Sequence, residues 1–210
     1  MSVAVISVAR RMSAAVINYD RRMSRWEPNA RGRLEQAAMA LYAECGFEQT
    51  TVAEIAARAG LTERTFFRHF ADKREVLFYG APALQELVVS TVASAPDTAA
   101  PIDAVAAAVQ AAAALLQERR DGARLRQAII AANPELQERE LIKLANLASA
   151  LAGALRERGV SEPAASLTAE AGVAVFRNAF ARWIGDPGEQ DFPRLIRESL
   201  DALKAVTGGT

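Results

Sequence analysis

The chain has 210 residues, 51% of them hydrophobic, and its 25 basic and 25 acidic side chains leave no net charge. That balance argues against a sequence-tolerant nucleic-acid coat, whose mark is a broadly basic chain. A single cysteine, Cys45, excludes an intrachain disulfide and a cysteine-cluster metal site.

Strict alternation and β-branched or aromatic runs are scarce, while Ala, Leu and Val abound, so the composition predicts an all-α fold. The length allows one large core or two modest ones. The first 33 residues divide into three elevens, MSVAVISVARR, MSAAVINYDRR and MSRWEPNARGR, each opening on Met-Ser and closing on arginine. A signal peptide is a poor fit, because the apolar part is short and its charges follow it. No apolar run reads as long enough to span a membrane, so a cytoplasmic protein is expected. Residues 1–29 are expected to be a basic, flexible extension, and two readings of it stay open. Met1, Met12 and Met23 are alternative start sites, or the segment is an arm on DNA. For the arm, Arg10, Arg11, Arg21, Arg22, Arg25, Arg31 and Arg33 stand against Asp20 and Glu27, as in arms that enter minor grooves.

A first helix is predicted over Ala30 to Cys45, with Leu34, Ala38, Leu41 and Cys45 on one face and Gly46 as its stop. On that stripe Cys45 reads as a buried structural thiol. Thr51 and Glu54 have capping-box spacing ahead of the apolar Val52, Ile55 and Ala56. Gly60 supplies the permissive backbone of a sharp turn, and Thr62 caps a second short helix whose inward side is Phe66 and Phe70. Asp72 and Glu75 repeat the capping-box spacing and start a third helix. Helix, glycine-containing turn, helix is the helix-turn-helix pattern. With Phe66 pointing inward, Arg64 and Arg68 fall on the outer face, flanked by Thr65 and Phe67. Two arginines there suit a guanine edge or a phosphate, and a plain solvated face is the alternative. Residues 1–80 carry 12 basic against 9 acidic side chains and the remainder 13 against 16, which places the attractive field for phosphate in the N-terminal part.

Gly60, Leu61, Thr62, Glu63, Arg64, Thr65, Phe66, Phe67, Arg68, His69, Phe70, Ala71, Asp72, Lys73, Arg74, Glu75, Val76, Leu77 closely resembles the DNA-binding domain of the TetR family of bacterial transcription regulators. The pattern there is Gly-x-Ser/Thr-x-x-Thr-hydrophobic-Tyr-x-His/Tyr-Phe-x-x-Lys-x-x-Leu. One position departs: Phe67 stands where the family usually has Tyr, so a hydroxyl that commonly reaches a phosphate is missing. The resemblance implies a helix-turn-helix DNA-binding domain over 30–78 and a larger ligand-binding and dimerisation domain over 79–210, about nine helices in all.

Beyond residue 80 the sequence predicts helices punctuated by proline and glycine. The segments are Pro82 to Ala95, Ile102 to Arg120, a shorter piece from Gly122 to Ala132, Glu135 to Arg158, Glu162 to Ile184, and Pro193 to Val206. Leu167, Val173, Phe176, Phe180, Trp183 and Ile184 recur at helical spacing on the penultimate helix, and Leu195, Leu200, Leu203 and Val206 on the last. The resemblance makes these two helices a homodimer interface, with closure of the protomer's own core as the alternative.

Thr51 and Thr62, at helix N-termini, are assigned to phosphate. The resemblance adds Lys73 and His69 as backbone contacts. Base reading falls to Glu63, Arg64, Thr65 and Arg68, with Phe67 on a sugar, a methyl or neither. The resemblance also implies a ligand cavity among the central helices, where Asn146, Ser149, Phe176 and Asn178 are candidates as polar or aromatic residues on otherwise apolar helices. No cofactor, metal or membrane partner is expected. The resulting expectation is a regulator, in the commoner case a repressor released from a palindromic operator on double-stranded DNA by a small, largely apolar effector. An activator, a regulator without a ligand and a nucleoid-type binder are the alternatives. An enzyme is poorly supported: His69 is the only histidine, and no Gly-rich phosphate loop or metal-ligand spacing occurs.

Overall fold

In the computed structural model, residues 29–186, 188 and 190–208 are described, and among them every regular element is a helix. The arginine-rich arm and the alternative start sites therefore lie outside the described residues, apart from Arg31 and Arg33. Helix α1 is Ala30–Cys45; the Asn29 side chain accepts from the Gly32 amide, 3.0 Å, and Gly46 ends the helix at φ 87°. Its buried side chains are Leu34, Ala37, Ala38, Leu41 and Tyr42. By the 3.6-residue period Cys45 falls on the same stripe, but it is the last residue of the helix, beside the exposed Gly46, and it is itself exposed, contrary to the sequence expectation. Helix α2, Val52–Arg58, buries Ile55 and Ala56, and α3, Glu63–His69, buries Phe66. Gly60 lies between them at φ 64°, a left-handed conformation, with Arg33 donating to the carbonyl of Ala59 beside it.

The third helix start at Asp72 is shorter than expected. The Asp72 carboxylate does accept from the amides of Arg74 and Glu75, but the element begun there is a single 3-10 turn, Glu75–Phe78. Helix α4 begins only at Ala81 and runs to Ala93. The remaining helices are α5 Pro101–Gln117, α6 Arg120–Ala131, α7 Pro134–Glu157, α8 Ala164–Gly185 and α9 Phe192–Thr207. Gly122 does not break a helix; it lies within the first turn of α6.

The chain forms two compact units. One extends to Tyr79 and takes in Leu125–Gln137, and the other comprises Gly80–Arg124 and Glu138–Thr210. The segment 125–137 thus leaves the domain to which the sequence reading assigned it, because Leu125, Ile129, Ile130 and Leu136 join Leu34, Ile55, Phe66 and Phe78 in the first core. Residues Glu75–Ala93 are long and apolar enough, by length and composition, to cross a bilayer, which the sequence reading did not anticipate. Of their apolar side chains, Val76, Leu77 and Phe78 belong to the first core and Val88 and Val92 to the second, while Leu84 and Val89 are half-buried against the latter.

In the second unit α5 packs against α4, α8 and α9. Trp183 stacks on Phe192 with ring centroids 4.6 Å apart, and Phe176 and Phe180 complete the cluster. Val173, Phe176, Trp183, Leu195 and Leu200 are all buried within this unit, so most of the stripe expected at a dimer interface closes the protomer's own core. The C-terminal carbonyls of α8, which have no partner within the helix, accept instead from arginine: Arg120 donates to Trp183 and Asp186, and Arg124 to Ile184 and Asp186. Helix α8 approaches α5 at Gly172, where an added Cβ would meet Val105 Cγ1 at 2.2 Å. Gly172→Ala should therefore destabilise the protein by roughly 1–3 kcal/mol, and Val105→Ala in the same chain should recover much of it. Thermal unfolding of the two variants checks this; an unchanged midpoint for Gly172→Ala would disprove the close approach.

Candidate nucleic-acid interface

The site grows out of two threonine caps. Thr51 closes a complete capping box: its Oγ1 accepts from the Glu54 amide, 3.2 Å, and its own amide donates to Glu54 Oε2, 2.8 Å. Hydrogen bonds from Thr51, the backbone one foremost, hold the Glu54 carboxyl below the ordinary carboxylate range. The Thr51 donors are thus already engaged by a carboxylate, so the residue acts first as a cap for α2. Thr62 accepts from the Thr65 amide, 3.2 Å, and its hydroxyl shares a 3.0 Å hydrogen bond with that of Thr65. This fixes the start of α3 and the direction in which Glu63, Arg64, Phe67 and Arg68 leave it. All four are exposed.

Behind the caps lies a contact that spacing along the chain does not reveal. The Lys73 ammonium donates to the carbonyls of Phe47, 2.8 Å, Glu48, 3.1 Å, and Thr50, 3.0 Å, and sits 4.5 Å from the centre of the Phe47 ring. An ammonium has three donors, and the loop between α1 and α2 takes all three. The Tyr42 hydroxyl donates in turn to the Lys73 carbonyl, 2.6 Å. Burial, aided by the charge of Asp72, pushes the Tyr42 phenol well above its ordinary pKa and keeps it a donor. Lys73, expected on a phosphate, here ties the turn before α2 to the turn after α3. Tyr42 was missed altogether, its only signal being a phenol at the end of an otherwise apolar stripe.

The other basic side chains sort by partner. Arg58 pairs with Glu44 at 2.7 Å, Arg74 pairs with Glu135 at 2.8 Å, and Arg31 lies 4.0 Å above the Tyr79 ring. Arg64 and Arg68 have no hydrogen-bond or ion-pair partner among the described residues; with Thr65 and Phe67 they line one surface depression. His69 is half-buried and its Nε2 is enclosed without a partner among the described residues, so that nitrogen is not presented on the outer face. What remains on the face is two guanidiniums with free fork geometry, a carboxylate in the first turn, a threonine and an exposed ring. Free guanidiniums of this kind can pair with guanine O6 and N7 or with phosphate.

The four ligand candidates do not converge. Asn146 and Ser149 are exposed on α7, and Asn178 is exposed on α8 and accepts from the Ser199 hydroxyl at 3.3 Å. Phe176 lies within the aromatic core. Among the described residues no group of three or more His, Cys, Asp or Glu side chains is placed to hold a metal ion.

Comparison with known proteins agrees with this arrangement. Residues 35–79 match the family described as bacterial regulatory proteins, tetR family, and residues 99–208 match the MftR C-terminal domain. The HTH-type transcriptional regulator TcmR of Streptomyces glaucescens is 36% identical over 92 residues, 44% of this chain; the match spans only 39% of TcmR's own length. Two solved structures share the fold. The transcriptional regulator FadR from Bacillus subtilis, in complex with stearoyl-CoA, has a TM-score of 0.60 at 20% identity, covering 82% of this chain and 96% of that one. SmeT of Stenotrophomonas maltophilia, in complex with triclosan, has a TM-score of 0.62 at 23% identity, covering 84% and 90%. At these identities the two likenesses speak for the fold alone.

The Lys73 contact gives a measurable distinction. Lys73→Gln should lower the unfolding temperature and weaken DNA binding while leaving the slope of log affinity against log salt unchanged. A slope smaller by about one, with stability intact, would instead make Lys73 a phosphate ligand.

Proposed function

The chain belongs to the TetR family of bacterial regulatory proteins and is a DNA-binding transcriptional regulator, not an enzyme; from that premise we propose that it is a cytoplasmic repressor, released from a palindromic operator by a small, largely apolar ligand. The observation that carries the reading is the pair of unengaged guanidiniums, Arg64 and Arg68, on the outer face of α3, in a protein whose neighbouring cations are already bound to their own chain. Such a face enters the major groove, reads guanine, and leaves register to phosphate contacts around it. One face this small reads few base pairs, so two copies on a two-fold site are required.

A dimer through α8 and α9 is supported by what α8 leaves outside its own core. Leu167, 66% exposed, is followed by Ala171, Ala174, Asn178 and Ala181, of which Ala171 is half-buried and the rest are exposed. Their spacing of four, three, four and three residues is the seam on which two helices pair. The aromatic interior of the second unit favours an apolar effector. The ligands named for two similar folds, stearoyl-CoA for FadR and triclosan for SmeT, each carry a large apolar part, the first joined to a polar, anionic coenzyme A, and SmeT is described as the repressor of a multidrug efflux pump. Ligand would act by preferring a conformation whose two α3 helices no longer match the operator spacing.

Selection from random-sequence DNA is expected to yield a palindrome with half-sites about 10 base pairs, or a multiple of that, apart. Expression of the protein should lower transcription from a promoter overlapping that palindrome. Arg64→Ala should cost roughly 1–3 kcal/mol at one base-pair position of each half-site. Enrichment of no sequence at all, or raised transcription, would refute the repressor reading.

A further inference from the structure

Phe67 is 56% exposed on the outer face of α3, although the other phenylalanine of that helix, Phe66, is wholly buried. A large apolar ring left in water forgoes the stabilisation that burial would supply, so its position asks for a partner. Its direction is set: the ring meets Phe66 nearly edge to face, with centroids 5.5 Å apart and planes at 84°. It shares its depression with Arg64, Thr65 and Arg68. Packing on Phe66 therefore holds the ring outward, in the same depression as two guanidiniums, with more than half of it uncovered.

The company of two guanidiniums identifies the occupant as a polyanion, and the chemistry of the ring narrows which part of it is touched. Phenylalanine carries no hydrogen-bonding group. It can neither answer a phosphate oxygen nor pair with the donors and acceptors along a base edge. In the major groove the apolar feature at base-pair level is the C5-methyl group of thymine. The tyrosine usual at this position would bring a hydroxyl; this chain presents only the ring.

We propose that Phe67 is a specificity-determining residue that selects thymine in each half-site by packing on its C5-methyl group. The proposal rests on the reading of α3 as the element that enters the major groove, and it assigns to one side chain a base preference that arginine chemistry cannot supply.

The test uses the full-length protein and the palindrome it selects. Each thymine is replaced in turn by deoxyuridine, which keeps every hydrogen-bonding group and removes only the methyl. At one position the replacement should weaken binding about fourfold in one half-site and about fifteenfold in both, the effect of exposing one methyl group per half-site. In Phe67→Ala that discrimination should vanish while the salt slope stays unchanged, since the residue is uncharged. Discrimination lost in Thr65→Ser, which removes only the nearby threonine methyl, would assign the methyl contact to Thr65 and overturn the proposal. Discrimination that survives in Phe67→Ala would assign the methyl contact to another residue and overturn the proposal. So would a Phe67→Ala chain that binds more weakly although the wild type does not distinguish thymine from deoxyuridine, since the ring then rests on sugar. If the wild type selects no site, the DNA reading of α3 fails first and the proposal falls with it, an outcome distinct from these.

Discussion

One ammonium group holds the helix-turn-helix together. Lys73 satisfies three carbonyls of a single loop, those of Phe47, Glu48 and Thr50, at 2.8 to 3.1 Å. These carbonyls belong to the connection between α1 and α2; the contacts at Phe47 and Thr50 are part-buried and that at Glu48 is exposed, and the Phe47 carbonyl also accepts from the Thr50 amide at 3.3 Å. The Thr50 carbonyl therefore depends most on the ammonium, and a part-buried carbonyl left without a donor would cost about 1–3 kcal/mol. The Tyr42 hydroxyl on the Lys73 carbonyl closes the arrangement from the side of α1. The buried Thr50, whose own hydroxyl donates to Gly46 at 2.8 Å, locks the same loop from within. The cap at Thr51 comes immediately after, and with it the orientation of α2 and of α3 beyond Gly60. The outward aim of Arg64, Phe67 and Arg68 thus depends on a cation that itself faces inward.

An electrically neutral protein can still present a cationic face on α3. Net charge decides little here; the distribution of partners decides. Arg58 is spent on Glu44 and Arg74 on Glu135, while Arg31 lies on the Tyr79 ring and Arg33 holds the turn at Ala59. Surface ion pairs of this kind contribute little stability. Their larger effect is to withdraw charge from most of the first unit, so that the field is concentrated at the two guanidiniums of α3.

The outline of the fold was legible because it is written locally. Thr51 with Glu54, Thr62 ahead of Phe66, and glycines at positions 46 and 60 all act within a few residues of where they stand, and each acts in the structure as its position suggests. What the sequence did not disclose depends on contacts between distant positions. Lys73 and Thr50 are 23 residues apart, and Arg74 and Glu135 are 61 apart. No periodicity announces that residues 125–137 join the first core, or that Val173, Phe176 and Trp183 face inward and leave Leu167 and a row of small residues outside. The exposed Cys45 has a simpler cause: it keeps the angular position of the buried stripe but stands at the last residue of α1, among the exposed Glu44 and Gly46. Phe67 was identified as a departure from the family pattern, but only its exposure separates a reading residue from a packing one.

The central claim is that the outer face of α3, through Arg64 and Arg68, reads guanine from the major groove. Methylation interference at guanine N7 tests it most directly, because N7 is exposed only in that groove and is the atom a guanidinium takes together with O6. The account predicts that N7 methylation blocks binding at a guanine in each half-site of the selected palindrome, and that replacing the responsible arginine by alanine abolishes the block at that guanine. Binding that is indifferent to N7 methylation throughout the site would contradict it.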